Sequence, residues 1–205
     1  MSNVGDSLHR LIGVMDKVGM PVAKNVNPGL SEDNITQQCQ EGNIVLPSEL
    51  VELYRCCNGM KPSLLLKPGM GEYGLDGRYF LLSLGEALEE YERVKESAIY
   101  NDELSVTWFP FLREEGGDLY LVDMAAAETE VASVIWWMVE FYPIRKYASL
   151  ATMFDTLASA YETGAYEYLN DLPYLNENLA MSLIAHQLNP NVAYWRDRVE
   201  QLSGS

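Results

Sequence analysis

Apolar positions recur every three to four residues near the start of the chain. Leu8, Leu11, Ile12, Met15 and Val18 fall on one stripe, so the spacing predicts a short amphipathic helix over 7–19, ended by Gly19-Met20-Pro21. A polar loop runs to Gly29, and Ser31 reads as the N-cap of a helix reaching about Gln40. Leu46-Pro47-Ser48-Glu49 opens another, with Leu50, Leu53, Tyr54 and Cys57 at i, i+3, i+4 and i+7. Asn58-Gly59 is the expected left-handed cap that closes it.

The period then shortens. Leu64 to Lys67 and Arg78 to Leu82 read as strands around a glycine-rich loop. Ser83-Leu84-Gly85-Glu86 is a capping box, with a helix behind it to about Ser97. Val106 to Leu112 is an aromatic strand in which Pro110 signals an edge or a bulge, and Glu114-Glu115-Gly116-Gly117 is a turn. From Asp118 to Met124 the residues alternate, with Leu119, Leu121 and Asp123 on one side and Tyr120, Val122 and Met124 on the other. Val131 to Tyr142 is expected as a long apolar strand, central in the sheet. Ser149 starts a helix with the stripe Leu150, Met153, Phe154, Leu157, Ala158 and Tyr161, stopped at Gly164. Beyond Gly164 the pattern offers helices around 175–188 and 192–202, parted by Asn189-Pro190, and no strands. The expected organisation is an N-terminal helix and loop over 1–30, an α+β domain over 31–163 and a helical extension over 164–205 packed on it.

A chain of 205 residues with 48% apolar residues can bury a core without staples. The three cysteines (Cys39, Cys56, Cys57) lack metal spacing and suit a reducing compartment. Met1 to Asp6 lacks the features of a secretory signal, and no apolar run spans a bilayer, so a cytoplasmic protein is expected.

Charge changes the picture most. The net charge is -16, and residues 86–130 hold 13 acids against 3 bases, or -10 of that total. Glu86/Glu90 and Glu92/Glu96 are like-charged pairs four apart, each costing a few tenths of a kcal/mol on a helix. Such a surface repels nucleic-acid phosphate and anionic membrane and steers a basic partner. The same acidity also serves solubility. Asp102, Glu103, Glu114, Glu115 and Asp118 are the expected partner-binding residues.

The other chemistry is thin. Gly69-Met70-Gly71-Glu72-Tyr73-Gly74 spells GxGxxG, but a strand follows instead of a helix and Glu72 would oppose a phosphate, so it reads as a loop. His9 and His186 lie on helices at opposite ends of the chain, and neither pairs with a cysteine. No metal or cofactor site is expected. Trp108, Trp136, Trp137 and Trp195 read as core and rim residues rather than stacking platforms. A hidden acid–base hydrolase among the carboxylates would need two convergent carboxyl groups, one with a strongly raised pKa.

Two stretches together resemble the SUKH superfamily. They are Leu46-Pro47 through Asn58-Gly59, and Trp108-Phe109-Pro110-Phe111 through Gly116-Gly117-Asp118 to Asp123, with Tyr79 to Glu86 between them and the Ser149 to Glu162 helix after them. The resemblance spans about residues 31–163. It implies an α+β domain with a twisted, mainly antiparallel sheet covered by helices. It also implies a non-enzymatic function. Bacterial members are commonly immunity proteins that neutralise a cognate toxin, often a nuclease, and a fungal branch regulates cell-wall synthesis through protein partners. A basic toxin is therefore the expected partner. The rival is a regulatory or scaffolding module that uses the C-terminal helices, with Tyr174, Leu175, Leu183, Ile184 and Trp195, as a partner surface or homodimer seam.

Overall fold

A computed structural model describes residues 3–204 apart from 21, 62, 65–71, 78, 126–131, 140, 166, 170–171 and 175–176. The chain runs α1 (Val4–Lys17), β1 (Val26–Pro28), α2 (Glu32–Glu41), α3 (Ser48–Cys56), β2 (Cys57–Met60), β3 (Ser63–Leu64), β4 (Glu72–Tyr73), β5 (Phe80–Leu81) and α4 (Leu84–Ala98). It continues through β6 (Trp108–Arg113), β7 (Leu119–Asp123), β8 (Val134–Trp137), β9 (Ile144–Tyr147), α5 (Leu150–Thr163), β10 (Glu167–Leu169), β11 (Leu172–Tyr174), α6 (Leu179–Leu188) and α7 (Ala193–Ser203). The fold is α+β. Five antiparallel strands in the order β5-β6-β7-β8-β9 form the main sheet, with three two-stranded ribbons beside it. No described helix is long and apolar enough to cross a membrane.

Local chemistry starts the helices where the sequence indicates. Ser31 and Asn178 accept from backbone N–H groups three residues on. Ser83 with Glu86, and Ser149 with Thr152, close reciprocal boxes. One cap is tertiary. From α3, Glu52 accepts the Gly5 N–H of α1 at 3.0 Å, while Glu49 lies near the first-turn N–H groups of Leu150 and Ala151 in α5.

β7 is buried on both faces. Tyr120 and Val122 join the main core with Phe109, Phe111, Leu8, Leu11, Leu53, Phe154 and Leu157. Leu119 and Leu121 join a smaller cluster with Val94 and Ile135, against which Trp108 and Trp137 pack. Residues of α1, α6 and α7 belong to the same main core as the sheet.

Several expectations change. Asn58-Gly59 does not cap α3, because the chain turns directly into β2 with Cys57 extended. Gly59 has φ +82°, and a β-carbon there would lie 2.5 Å from the Ser83 nitrogen. The glycine thus lets β2 press onto the start of α4, where Asn58 Oδ1 accepts the Leu84 N–H at 2.8 Å. Pro110 marks a bulge, as one branch of the reading has it, but β6 is internal, paired to both β5 and β7. The strand expected over 131–142 shrinks to β8, and the sheet's central strand is β7. The run misleads because apolar residues also occupy turns. β9 is an unforeseen edge strand, and the β10–β11 hairpin stands where no strands were expected. Residues 69–71 of the GxGxxG motif lie outside the described residues.

Glu49 carries a prediction. Burial pushes its carboxyl up to about 7, outweighing the two backbone N–H donors that favour the charged form. Between about 4.5 and 7 the folded chain therefore keeps a proton that the unfolded chain has lost, and stability falls as pH rises through that window. Glu49→Gln should flatten that slope in urea unfolding measured at pH 5, 6 and 7.5. An unchanged slope would assign the pH dependence to another group.

Candidate functional site

The β6–β7 turn carries three of the five expected acids. Gly117, at φ +102°, lets the chain reverse, with its N–H donating to the Glu114 carbonyl at 3.0 Å. The Glu114 carboxylate folds back onto the Gly116 N–H, and Glu115 is exposed. Asp118 reaches across to the next turn, where its Oδ1 accepts the Val139 N–H at 3.0 Å. That turn follows β8 and exposes apolar surface: Val139 is 47%, Phe141 61% and Tyr142 78% exposed. Two adjacent turns at one end of the sheet thus join carboxylates to protruding aromatic rings.

Asp102 and Glu103 sit elsewhere, in the turn after α4, with the Glu103 N–H on Asn101 Oδ1 at 3.0 Å. They flank Tyr100, which is 90% exposed, and Ile99. The six residues of β6 separate them from Glu114, a span of about 20 Å at the usual strand rise. The five acids form two groups at opposite ends of the sheet. They do not make one surface.

The interior holds a second constellation that sequence reasoning missed. Lys146 of β9 is 1% exposed. Its ammonium lies 2.8 Å from Glu177 Oε1 and donates to the Tyr120 hydroxyl at 3.1 Å. It also stands 3.9 Å over the Trp136 ring. Tyr120 donates to Asp76 Oδ2 at 2.6 Å, and Trp136 Nε1 donates to the Tyr79 hydroxyl at 2.7 Å. Tyr194 of α7 donates to Glu177, and Arg198 lies 3.5 Å from it. Burial pushes the Glu177 carboxyl up, but Lys146, the Tyr194 hydroxyl and Arg198 outweigh it and hold the group below the usual carboxylate range. Burial also raises the hydroxyl groups of Tyr120 and Tyr147, so both stay neutral.

This network joins separate parts of the chain: Asp76, the strands β7, β8 and β9, Glu177 and α7. A lysine in a four-residue strand, and a glutamate 31 residues later, carry no local signal of pairing. Trp195, expected on a partner-facing seam, is fully buried, with its indole N–H on the Lys146 carbonyl at 2.5 Å. It serves packing, because its ring contacts Tyr147 and Tyr194. Leu183 is exposed and Ile184 half-buried, whereas Leu175 and the Tyr174 side chain lie outside the described residues.

The carboxyl group pushed up to about 7, Glu49, is raised chiefly by burial, with the neighbouring Glu52 carboxylate adding to the same direction. Among the described residues no three His, Cys, Asp or Glu side chains converge as a metal site would require. Among the described residues, exposed carboxylates occur with exposed aromatic rings in the turns after β6 and β8 and in the turn after α4. The model of the SMI1 / KNR4 family (SUKH-1) matches residues 29–156, from just before α2 into the first half of α5. None of the curated proteins matches the chain.

Proposed function

The chain belongs to the SMI1 / KNR4 family (SUKH-1), and from that premise we propose that it is an immunity-type binding protein that neutralises a basic toxin, most naturally a nuclease, without chemistry of its own. The observation that carries this reading is the coupling of the two turns. Asp118 fastens the Val139 N–H, so the turn that carries Glu114 and Glu115 is tied to the turn that carries the exposed rings of Phe141 and Tyr142. An interface commonly has this anatomy, with aromatic anchors buried at the centre and charges at the rim. A nuclease centre is cationic because it must hold phosphate, so an acidic protein with protruding rings suits its mouth. Opposite charge chiefly accelerates encounter, and buried anchors set how long the complex lasts.

The test separates the two roles. Reversing Glu115 to Lys together with Glu114→Gln should slow association with the toxin about tenfold at low salt and flatten its salt dependence, with little change in dissociation. Phe141→Ala should instead speed dissociation and leave association nearly unchanged. Stopped-flow mixing of the purified pair reads both rates. Association that ignores the charge reversal would remove the electrostatic part of the proposal. If the protein fails to protect cells that produce the toxin, the immunity reading falls.

A further inference from the structure

The sheet carries a buried charge where apolar contact would hold the fold as well. Lys146 and Glu177 meet at 2.8 Å beneath α7, yet replacing such a pair with apolar side chains of similar size is often neutral or stabilising. Packing alone therefore does not call for it. The pair lies where the residues beyond the family-matched stretch 29–156 return to the sheet, since Glu177 directly precedes α6 while Tyr194 and Arg198 belong to α7. Three further polar ties hold the same part of the chain, one of them the Asn178 side chain donating to the Ala165 carbonyl at 3.1 Å. Asn189, fully buried, accepts the Ala148 N–H at 2.9 Å and donates to the Thr156 hydroxyl at 3.1 Å. Trp195 donates to the Lys146 carbonyl. Beyond these ties, α6 and α7 pack chiefly on each other and meet the rest of the molecule through α5 and β9.

We infer that residues 177–203 form a cover seated as one unit on β9 and α5, latched by the ion pair of Glu177 with Lys146 and able to open while the remaining fold stays closed. With Glu177 charged and paired, the ammonium of Lys146 is neutralised over the Trp136 ring and the cover holds. Without that charge the buried ammonium keeps only neutral direct partners, the Tyr120 hydroxyl and the Trp136 ring, with the Asp76 carboxylate one hydroxyl further off, and water is the better partner. Opening uncovers Lys146 with the rings of Tyr120 and Trp136, a cationic aromatic surface on an otherwise acidic molecule. The latch thus governs whether this surface is presented in addition to the acidic exterior. It is independent of the toxin-binding turns.

Hydrogen exchange read by mass spectrometry on the full chain at neutral pH tests the latch. In Glu177→Gln the amides of α6 and α7 should exchange at least about tenfold faster, with those of α1, β6 and β7 unchanged. Tyr194→Phe, which removes one hydrogen bond to the same carboxylate, should accelerate the same amides by about threefold. The pair Lys146→Met with Glu177→Leu should return them to the wild-type rate. Acceleration spread evenly over α1 and the sheet would show that the cover does not move as a unit. No acceleration in α6 and α7 would show that the ion pair latches nothing. If Glu177→Gln does not fold, Tyr194→Phe decides by the same two criteria.

Discussion

Lys146→Met should lower the stability of the protein by about 3–5 kcal/mol, and adding Glu177→Leu should recover most of that loss. The single change removes the cation that neutralises a buried carboxylate. Glu177 keeps the Tyr194 hydroxyl and the partly exposed Arg198, but its Oε1 loses the ammonium at 2.8 Å. Trp136 also loses the cation 3.9 Å above its ring. An isolated charge in such a place is costlier than either the intact pair or an apolar replacement of both members. Urea unfolding measures the effect, with the slope checked so that a shift in midpoint can be read as stability. If the double variant is no more stable than the single one, Glu177 owes its accommodation to Arg198 and Tyr194 rather than to Lys146. The double variant separates a charge left behind from packing lost.

Gly59→Ala should cost about 3 kcal/mol, several times what the loss of an ordinary helix-capping glycine costs, which is about 1 kcal/mol. Two penalties coincide. The residue has φ +82°, and the added carbon would meet the backbone of Ser83 at 2.5 Å (nitrogen) and 2.8 Å (Cα). Backbone cannot rotate aside as a side chain can, so β2 must lift from the start of α4. That movement would strain the Asn58 to Leu84 hydrogen bond and leave a first-turn N–H of α4 unpaired. A cost near 1 kcal/mol would mean that β2 and α4 slide apart freely and that only the local backbone conformation matters. Thermal unfolding of Gly59→Ala beside Gly164→Ala supplies the internal control. Gly164 ends α5 with φ +71°, and nothing lies near the carbon it lacks.

The contrast between these glycines shows which parts of the fold a sequence displays. Gly164 lies at the end of an apolar stripe, so its role is legible from the residues before it. Gly59 lies at the end of an equally clear stripe, and the same reasoning makes it a cap. Its actual partner, Ser83, is 24 residues further on. Short-range rules report the conformation each glycine needs; they do not report what presses against it. β8 teaches the same lesson. Val131 to Tyr142 is apolar nearly throughout, yet the strand ends at Trp137 and the run continues into an exposed turn with Phe141 and Tyr142. Hydrophobicity marks residues that gain from burial, and those left exposed on a folded monomer are where a partner gains most.

The candidate site divides in the same way. Glu114, Glu115 and Asp118 are legible because a Gly-Gly turn between two alternating stretches must project its neighbours outward. Their companions Val139 and Phe141 are not, since only the pairing of β7 with β8 brings the second turn alongside the first. Asp102 and Glu103 belong to the same acidic stretch of sequence, but β6 carries them to the far end of the sheet.

Residues within about four positions of one another mark the helices, their side-chain N-caps at Ser31, Ser83 and Ser149, and the alternating strands, and composition sets the acidic balance. Family membership follows from the order of those elements. Only the folded arrangement decides that Glu52 caps a helix other than its own, that Gly59 serves α4, and that Lys146 is buried against Glu177. Those pairings depend on which faces meet when the sheet is covered, and a contact between residues far apart in the chain leaves no periodic trace along it.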